Sequence, residues 1–218
     1  MPSGLLFDLD GTLADTAPDL AAALNAVLRA EGRSALPLEV IRPHVSHGAP
    51  RLVRLGFGSE LPDDEFERLR TQLLDAYAGA VCEETRLFEG IEDVLRHLES
   101  AGIPWGIVTN KPGWLTEPLL DAMGMLTRVR SLVSGDTLPR RKPHPDPLLL
   151  AASQLGVEAQ DCVYAGDAQR DIDAGHAAGM FTVAVTWGYI PEEEEPDRWG
   201  AHRLINEPGE LLEVMIDL

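Results

Sequence analysis

Three features of the sequence predict an α/β fold, a doubly wound parallel sheet carrying one all-helical insert. Short apolar runs recur along the chain, and most end in Asp, Thr, Asn or Gly. Stretches with helical spacing of apolar residues alternate with them. One long interval near the N-terminus breaks the alternation by being helical throughout. The runs 5–7, 105–108, 132–133, 162–165 and 182–185 are short and continuously apolar, as strands buried on both faces of a parallel sheet are. Between them, 91–101, 115–123, 147–155 and 172–178 carry helical periodicity, each with a glycine just beyond its end at 102, 124, 156 and 179. Strands alternating with such helices wind into a parallel sheet covered on both faces. The helical interval, DLAAALNAVLRAEG through DDEFERLRTQLLDAYAGA, is predicted to form a cap domain over residues 15–86. Hinges near Ala14-Asp15 and Arg86-Leu87 would join it to a core domain of residues 1–14 and 87–218.

Composition excludes several function classes. A chain of 218 residues, 44% hydrophobic, has enough apolar material for a core domain with a smaller insert. A formal net charge of -18 repels nucleic acid and anionic membrane surfaces. The two cysteines, Cys82 and Cys162, lie far apart with no metal-binding spacing, so neither a disulfide framework nor a zinc site is expected. The N-terminus lacks a basic leader, and no apolar run approaches the roughly 18 residues of a membrane span. A cytoplasmic protein, monomer or homodimer, is expected. Of the 18 basic residues all but Lys111 and Lys142 are arginine. A lysine kept against that bias marks a position where a compact ammonium is needed and a guanidinium fork does not serve. The acidic run Glu192 to Glu195 reads as a solvated loop, since four adjacent side chains cannot converge on one point.

Ligands of open α/β sheets gather at the carboxyl ends of strands, so the residues that follow each apolar run are the candidates for chemistry. The first run ends in Asp8-Leu9-Asp10-Gly11-Thr12, two carboxylates two residues apart followed by a glycine turn. Such a pair can share one site, one acid serving as nucleophile and magnesium ligand, the other moving protons. The second ends in Val108-Thr109-Asn110-Lys111, where the Thr109 hydroxyl and backbone amides can bind phosphoryl oxygens. Lys142, just before a helix start, can offset charge on a phosphoryl group and on the carboxylates. The run 162–165 leads into Gly166-Asp167, with Asp171 one turn further; Asp167 can complete a magnesium site with Asp8.

Together DLDGT, VTN, KPHPDP and GDAQRD resemble the four signature segments of the haloacid dehalogenase superfamily, over the full chain and including a helical cap inserted after the first segment. The resemblance implies a Rossmann-like core. It also implies Asp8 as nucleophile, Asp10 as general acid/base, Thr109 and Asn110 as phosphoryl binders and Lys142 as charge stabiliser. Asp8, Asp167 and the Asp10 carbonyl would hold Mg2+, with Asp171 orienting the metal's waters. Because Asp10 is present, and because residues 15–86 contain no lysine that would serve a phosphonate-cleaving branch, the resemblance implies a phosphomonoesterase acting on a small phosphorylated metabolite. A phosphosugar mutase shares the same core segments. The layout is similar to phosphoglycolate phosphatases, and segments such as LFEG, WGIVTNKP and the 187–201 tail are similar to a bacterial subgroup that includes N-acetylmuramic acid 6-phosphate phosphatases.

Substrate contacts are expected from Lys111 and from Arg42, Ser46, His47 and Arg51, which fall in a loop-like stretch of the insert. Trp187, Tyr189 and Trp199 are candidates to line a pocket for a sugar ring. A binding protein built on an inactive core is the alternative from another class, and the intact Asp8, Asp10, Thr109, Lys142 and Asp167 argue against it.

Overall fold

The computed structural model describes residues 2–218. Six strands form one parallel sheet: β1 (Gly4–Phe7), β4 (Trp105–Val108), β5 (Ser131–Val133), β6 (Cys162–Gly166), β7 (Phe181–Val185) and β8 (Arg203–Ile205). Their spatial order is β5-β4-β1-β6-β7-β8. The chain builds outward from β1 in one direction to β5 and then crosses to the other side for β6, so the strand order reverses at β1. That reversal opens a crevice at the carboxyl ends of β1, β4 and β6, where ligands of such sheets bind.

Alternation along β1 divides the interior. Leu5 and Phe7 pack in a cluster with Ile91, Val94 and Leu98 of α5 (Ile91–Ala101), Leu119 of α6 (Gly113–Ala122) and Leu211 of α9 (Glu210–Asp217). Leu6 points the opposite way, into a cluster with Leu148 and Ala151 of α7 (Asp146–Leu155) and Ala174 of α8 (Gln169–Ala177). Each face of the sheet is thus sealed by helices, which is why the strands read as unbroken apolar runs. The helix ends follow the glycines: Gly102 after α5 and Gly156 after α7 take left-handed conformations, with φ of 70° and 75°.

The insert consists of α1 (Ala17–Ala30), α2 (Leu38–Ile41), a 3-10 turn (Arg42–His47), α3 (Gly48–Phe57) and α4 (Asp63–Ala78). Leu20, Leu24, Leu28, Leu52, Val53, Leu69, Leu73 and Tyr77 form its own apolar core, which also takes in Leu115 and Tyr189 from the sheet side. The insert is therefore seated on the sheet's ligand edge. Where it leaves and rejoins, β2 (Ala14–Asp15) and β3 (Arg86–Leu87) pair antiparallel, a two-stranded ribbon not foreseen from the sequence. Buried Asp19 accepts hydrogen bonds from the Glu84 and Thr85 amides (2.9 and 3.0 Å) and from the Thr85 hydroxyl (2.7 Å), tying α1 to the returning chain. The stretch 42–51 is helical where a loop was expected. No described helix is long and apolar enough to cross a membrane.

Candidate active site

Asp8, Thr109 and Asp167 each stand one residue beyond β1, β4 and β6, three neighbouring strands, so the parallel register itself delivers them to one place. All three are nearly sealed from solvent, as are Lys142 and Asp171. The Lys142 ammonium, 2% exposed, lies 2.9 Å from Asp8 Oδ1, 2.7 Å from Asp171 Oδ1, 2.9 Å from the Val108 carbonyl and 2.8 Å from the Tyr164 hydroxyl. Tyr164 lies in turn 3.2 Å from Asp171 Oδ1, and the Ala168 amide donates to Asp171 Oδ2. One buried cation is thereby shared between two buried anions, the arrangement that makes such burial tolerable.

Acid outnumbers base at this point. Carboxylate oxygens of Asp8, Asp167 and Asp171 all lie within 4.8 Å of one another. Burial, with Asp171 adding repulsion, raises Asp8 to about 6 despite Lys142. Burial, followed by the charges of Asp8 and Asp171, raises Asp167 to about 7. Asp167 Oδ2 accepts from the Ser46 hydroxyl (2.6 Å) and the Tyr189 amide (2.8 Å), whereas its buried Oδ1 has no hydrogen-bond partner. The backbone is shaped around this carboxyl: a Cβ on Gly11, whose φ is 88°, would fall 2.0 Å from Asp167 Oδ2. Hard oxygen donors, excess negative charge and one orphaned carboxylate oxygen fit a divalent cation such as Mg2+.

Asp10 stands at the edge of the cluster. Its Oδ1 accepts from the Thr16 hydroxyl (2.6 Å) and the Lys111 ammonium (2.9 Å). Burial works against the Lys111 charge, but Asp10 and Tyr77 overcome it and raise the pKa above the ordinary lysine value. Asn110 is turned so that its amide donates to the Lys142 carbonyl (3.1 Å), leaving its buried Oδ1 unpartnered. Its side chain thus anchors the Lys142 loop, while the residue itself lines the cavity beside Thr109 and Lys111.

Above these residues lies a cavity of about 770 Å³. Its floor is Asp8, Asp10, Thr109, Lys111, Lys142 and Arg170; its roof includes Ser46, His47, Phe66, Arg70, Leu74 and Tyr77 from the insert. Of the expected insert contacts, His47 lines the cavity, and its imidazole lies 3.3 Å from Glu194. Arg42 and Arg51 do not line it. Arg42 instead forms a two-pronged pair with Asp15 (2.9 Å each) and stacks over Tyr189, while Arg51 reaches His44. The three tail aromatics also serve packing. Tyr189 is buried, its hydroxyl accepting from the Thr16 and Ala17 amides and donating to Asp15; Trp187 donates to the Thr12 carbonyl; Trp199 packs on Ile172 and Ala184.

Sequence reasoning did not single out Tyr164, Arg170 or Tyr77. Arg170 had a usable signal, since it follows Asp167 by three residues at a helix start; its guanidinium lies 4.0 Å from Asp8 Oδ2. Tyr164 sits inside an apolar run and looked like core. Tyr77 reaches the site only through the packing of α4.

Comparison with known proteins gives a consistent result. Residues 5–185 match the haloacid dehalogenase-like hydrolase family. The chain is 44% identical to a phosphoglycolate phosphatase of Xanthomonas campestris pv. campestris over 97% of its own length and 96% of the relative's. It is 43% identical to an N-acetylmuramic acid 6-phosphate phosphatase of Pseudomonas aeruginosa, over 97% and 93% of the two chains. The crystal structure of a predicted phosphoglycolate phosphatase from Haemophilus somnus superposes with a TM-score of 0.86 at 28% identity, covering 97% of both chains.

Proposed function

The chain belongs to the haloacid dehalogenase-like hydrolases and is a phosphatase of that family, and from that premise we propose that it cleaves a small carboxylate-bearing phosphomonoester through an aspartyl-phosphate on Asp8. The observation that carries this reading is the sealed constellation of Asp8, Thr109, Lys142, Asp167 and Asp171 at three adjacent strand ends. Asp8, Asp167 and the Asp10 carbonyl, with Asp171 behind them, would hold Mg2+, which would supply Lewis-acid charge to the phosphoryl group.

The chain's own groups do the rest. Lys142, fixed by the Val108 carbonyl and Tyr164, orients Asp8 and offsets charge that accumulates on the transferring phosphoryl group. Thr109, beside the Asp8 strand end, offers its hydroxyl to that group. The phosphorus–oxygen ester bond breaks as the Asp8 carboxylate attacks, and Asp10 gives a proton to the departing oxygen. Asp10 then takes a proton from the water that hydrolyses the acyl-phosphate, releasing inorganic phosphate and restoring Asp8. Thr16 and Lys111 hold Asp10 in reach of that oxygen. The roof formed by the insert limits water around the site during transfer.

The substrate class follows from what two relatives have in common. Phosphoglycolate and N-acetylmuramic acid 6-phosphate differ in size, but each carries a carboxylate besides its phosphate. Phosphoglycolate is the first reading. A cavity of about 770 Å³ is far larger than a two-carbon acid needs and favours the amino-sugar ester as the second. The test is phosphate release with Mg2+ across 2-phosphoglycolate, N-acetylmuramic acid 6-phosphate, glucose 1-phosphate, glucose 6-phosphate and nucleoside monophosphates. The expected result is a kcat/KM at least about 100-fold higher for one of the two carboxylates than for the rest. A best substrate without a carboxylate would overturn the reading.

A further inference from the structure

Tyr77 presents a buried polar atom that the fold does not explain. It lies on α4 of the insert with no exposed surface, and its ring belongs to the insert's apolar core. A phenylalanine would serve that packing equally. Its hydroxyl oxygen, however, makes no well-formed hydrogen bond among the described residues; the Lys111 ammonium lies beside it as a loose donor, and the hydroxyl's own proton has no acceptor, although Tyr77 lines the cavity over the strand ends. A buried unpaired hydroxyl costs about 1–3 kcal/mol, and native proteins keep such groups where something else completes them.

The neighbour of this hydroxyl is Lys111. Its ammonium sits 4.4 Å from the centre of the Tyr77 ring, keeps only 7% of its side chain exposed, and gives one well-formed hydrogen bond, to Asp10 Oδ1 at 2.9 Å. An ammonium has three N–H groups; with one on Asp10 and one turned toward the Tyr77 oxygen, one remains for a ligand. Burial raises the Tyr77 pKa, which keeps its proton in place and makes the hydroxyl a donor. Two donor groups, one of them charged, face the same cavity on the side of Asp10. Asp10 already balances the lysine charge, so what distinguishes ligands is the strength and number of the hydrogen bonds they accept, and a neutral acceptor makes weaker bonds to an ammonium than an ionised one does. A carboxylate brings two oxygens, one for each donor, and accepts charge-assisted hydrogen bonds roughly twice as strong as neutral ones.

We infer that the Tyr77 hydroxyl and the Lys111 ammonium together receive the substrate's carboxylate, the insert supplying the hydroxyl and the sheet supplying the charge. This inference rests on the carboxylate-bearing substrate class proposed above. It makes Tyr77 a specificity residue: its oxygen is completed only when the insert is closed over an acidic substrate, so a neutral phosphomonoester leaves it unpaired.

The experiment compares wild type and Tyr77→Phe on matched pairs. One pair is 2-phosphoglycolate and 2-hydroxyethyl phosphate. The other is N-acetylmuramic acid 6-phosphate and N-acetylglucosamine 6-phosphate, the same sugar without the lactyl carboxylate. The variant is expected to lose about 10- to 100-fold in kcat/KM on the acidic member and less than about threefold on the neutral one, as loss of a hydrogen bond to a charged group predicts. Its melting temperature is expected to stay level or rise, because only an unpaired buried oxygen is removed. Equal losses on both members, or an undiminished preference for the acid, would overturn the assignment of Tyr77 while leaving the substrate class standing. A wild type that shows no preference for either acid would overturn the substrate class and this inference with it.

Discussion

At the strand ends, Asp8, Lys142, Asp167 and Asp171 are all within 3% of complete burial and hold one another in place. In the insert the charged groups are looser: Arg70, 39% exposed beside Glu67, and His47, 35% exposed beside Glu194, line the cavity, and Arg42, 34% exposed beside Asp15, stands outside it. The first region is rigid because three parallel strands and their helices fix it. The second consists of side chains reaching from the insert's helices and paired with partly exposed partners. The groups proposed for chemistry thus sit in the tightly packed part, and the insert contributes both loosely paired charges and the buried Tyr77 to the cavity roof. The two regions meet at few points, namely Ser46 on Asp167, Thr16 on Asp10 and Tyr77 over Lys111.

Substitutions at the strand ends should have the largest effects. Asp8→Asn removes the nucleophile and keeps the shape, so kcat is expected to fall by at least about 10⁴-fold with an unchanged circular dichroism spectrum. Residual turnover near wild type would sink the role given to Asp8. Lys142→Ala comes next. It strips the shared cation from two buried carboxylates, and an unfolding free energy lower by about 3–5 kcal/mol is expected, with activity down by at least about 10²-fold. Denaturant titration beside the phosphate assay checks both, and a stable but inactive variant would show that Lys142 serves catalysis alone.

Asp167→Asn should separate function from stability. With folded pKa values raised to about 6 and about 7, Asp8 and Asp167 keep protons that the unfolded chain gives up near pH 4. The metal-free protein therefore loses stability as pH rises from about 4 to about 7, when these buried groups must ionise. Removing one acid should raise the metal-free melting temperature at pH 8 by several degrees, corresponding to about 2–4 kcal/mol, and the gain should shrink as pH is lowered from 7 toward 4. The same variant should bind Mg2+ at least about tenfold more weakly by calorimetry. A variant less stable than wild type at pH 8 without metal would mean that Asp167 is held by its hydrogen bonds to Ser46 and Tyr189 more strongly than charge opposes it.

The contrast between the regions also explains what could be read from the chain. The five strands with apolar runs, the helices between them and the residues at the strand ends were legible because burial on both faces forces a continuous pattern and register carries the next residue into the crevice. β8 was not, because Arg203 and Leu204 are exposed at the sheet edge and leave Ile205 as its one buried residue. The β2–β3 ribbon is two residues per strand, too short for any periodicity. In the insert, sequence position is a poor guide to direction. Arg42 and Arg51 sit in the same stretch as Ser46 and His47, yet a 3-10 turn running into α3 carries the two arginines away from the cavity and the other two into it. Tyr77 and Tyr164 are polar groups hidden inside apolar patterns, and only contacts across the sequence expose their oxygens.

Arg42 gives the smallest effect and the sharpest contrast. Its guanidinium grips both oxygens of Asp15 and stacks over Tyr189, whose hydroxyl is bonded to the Thr16 and Ala17 amides. The group thus braces the point where the chain leaves the sheet for the insert. Because the pair is about one-third exposed, Arg42→Ala is expected to cost no more than about 1 kcal/mol of stability. Thr16 also donates to Asp10, so loosening this point should blur Asp10's position and lower kcat by about two- to fivefold, alike on acidic and neutral phosphomonoesters. An arginine that read the substrate's carboxylate would behave otherwise, with a loss of about 10-fold or more confined to the acidic substrates and seen in KM. Measured on the same matched pairs as Tyr77→Phe, the two variants should therefore split: a uniform, small loss in kcat for Arg42, and a selective, larger loss for Tyr77.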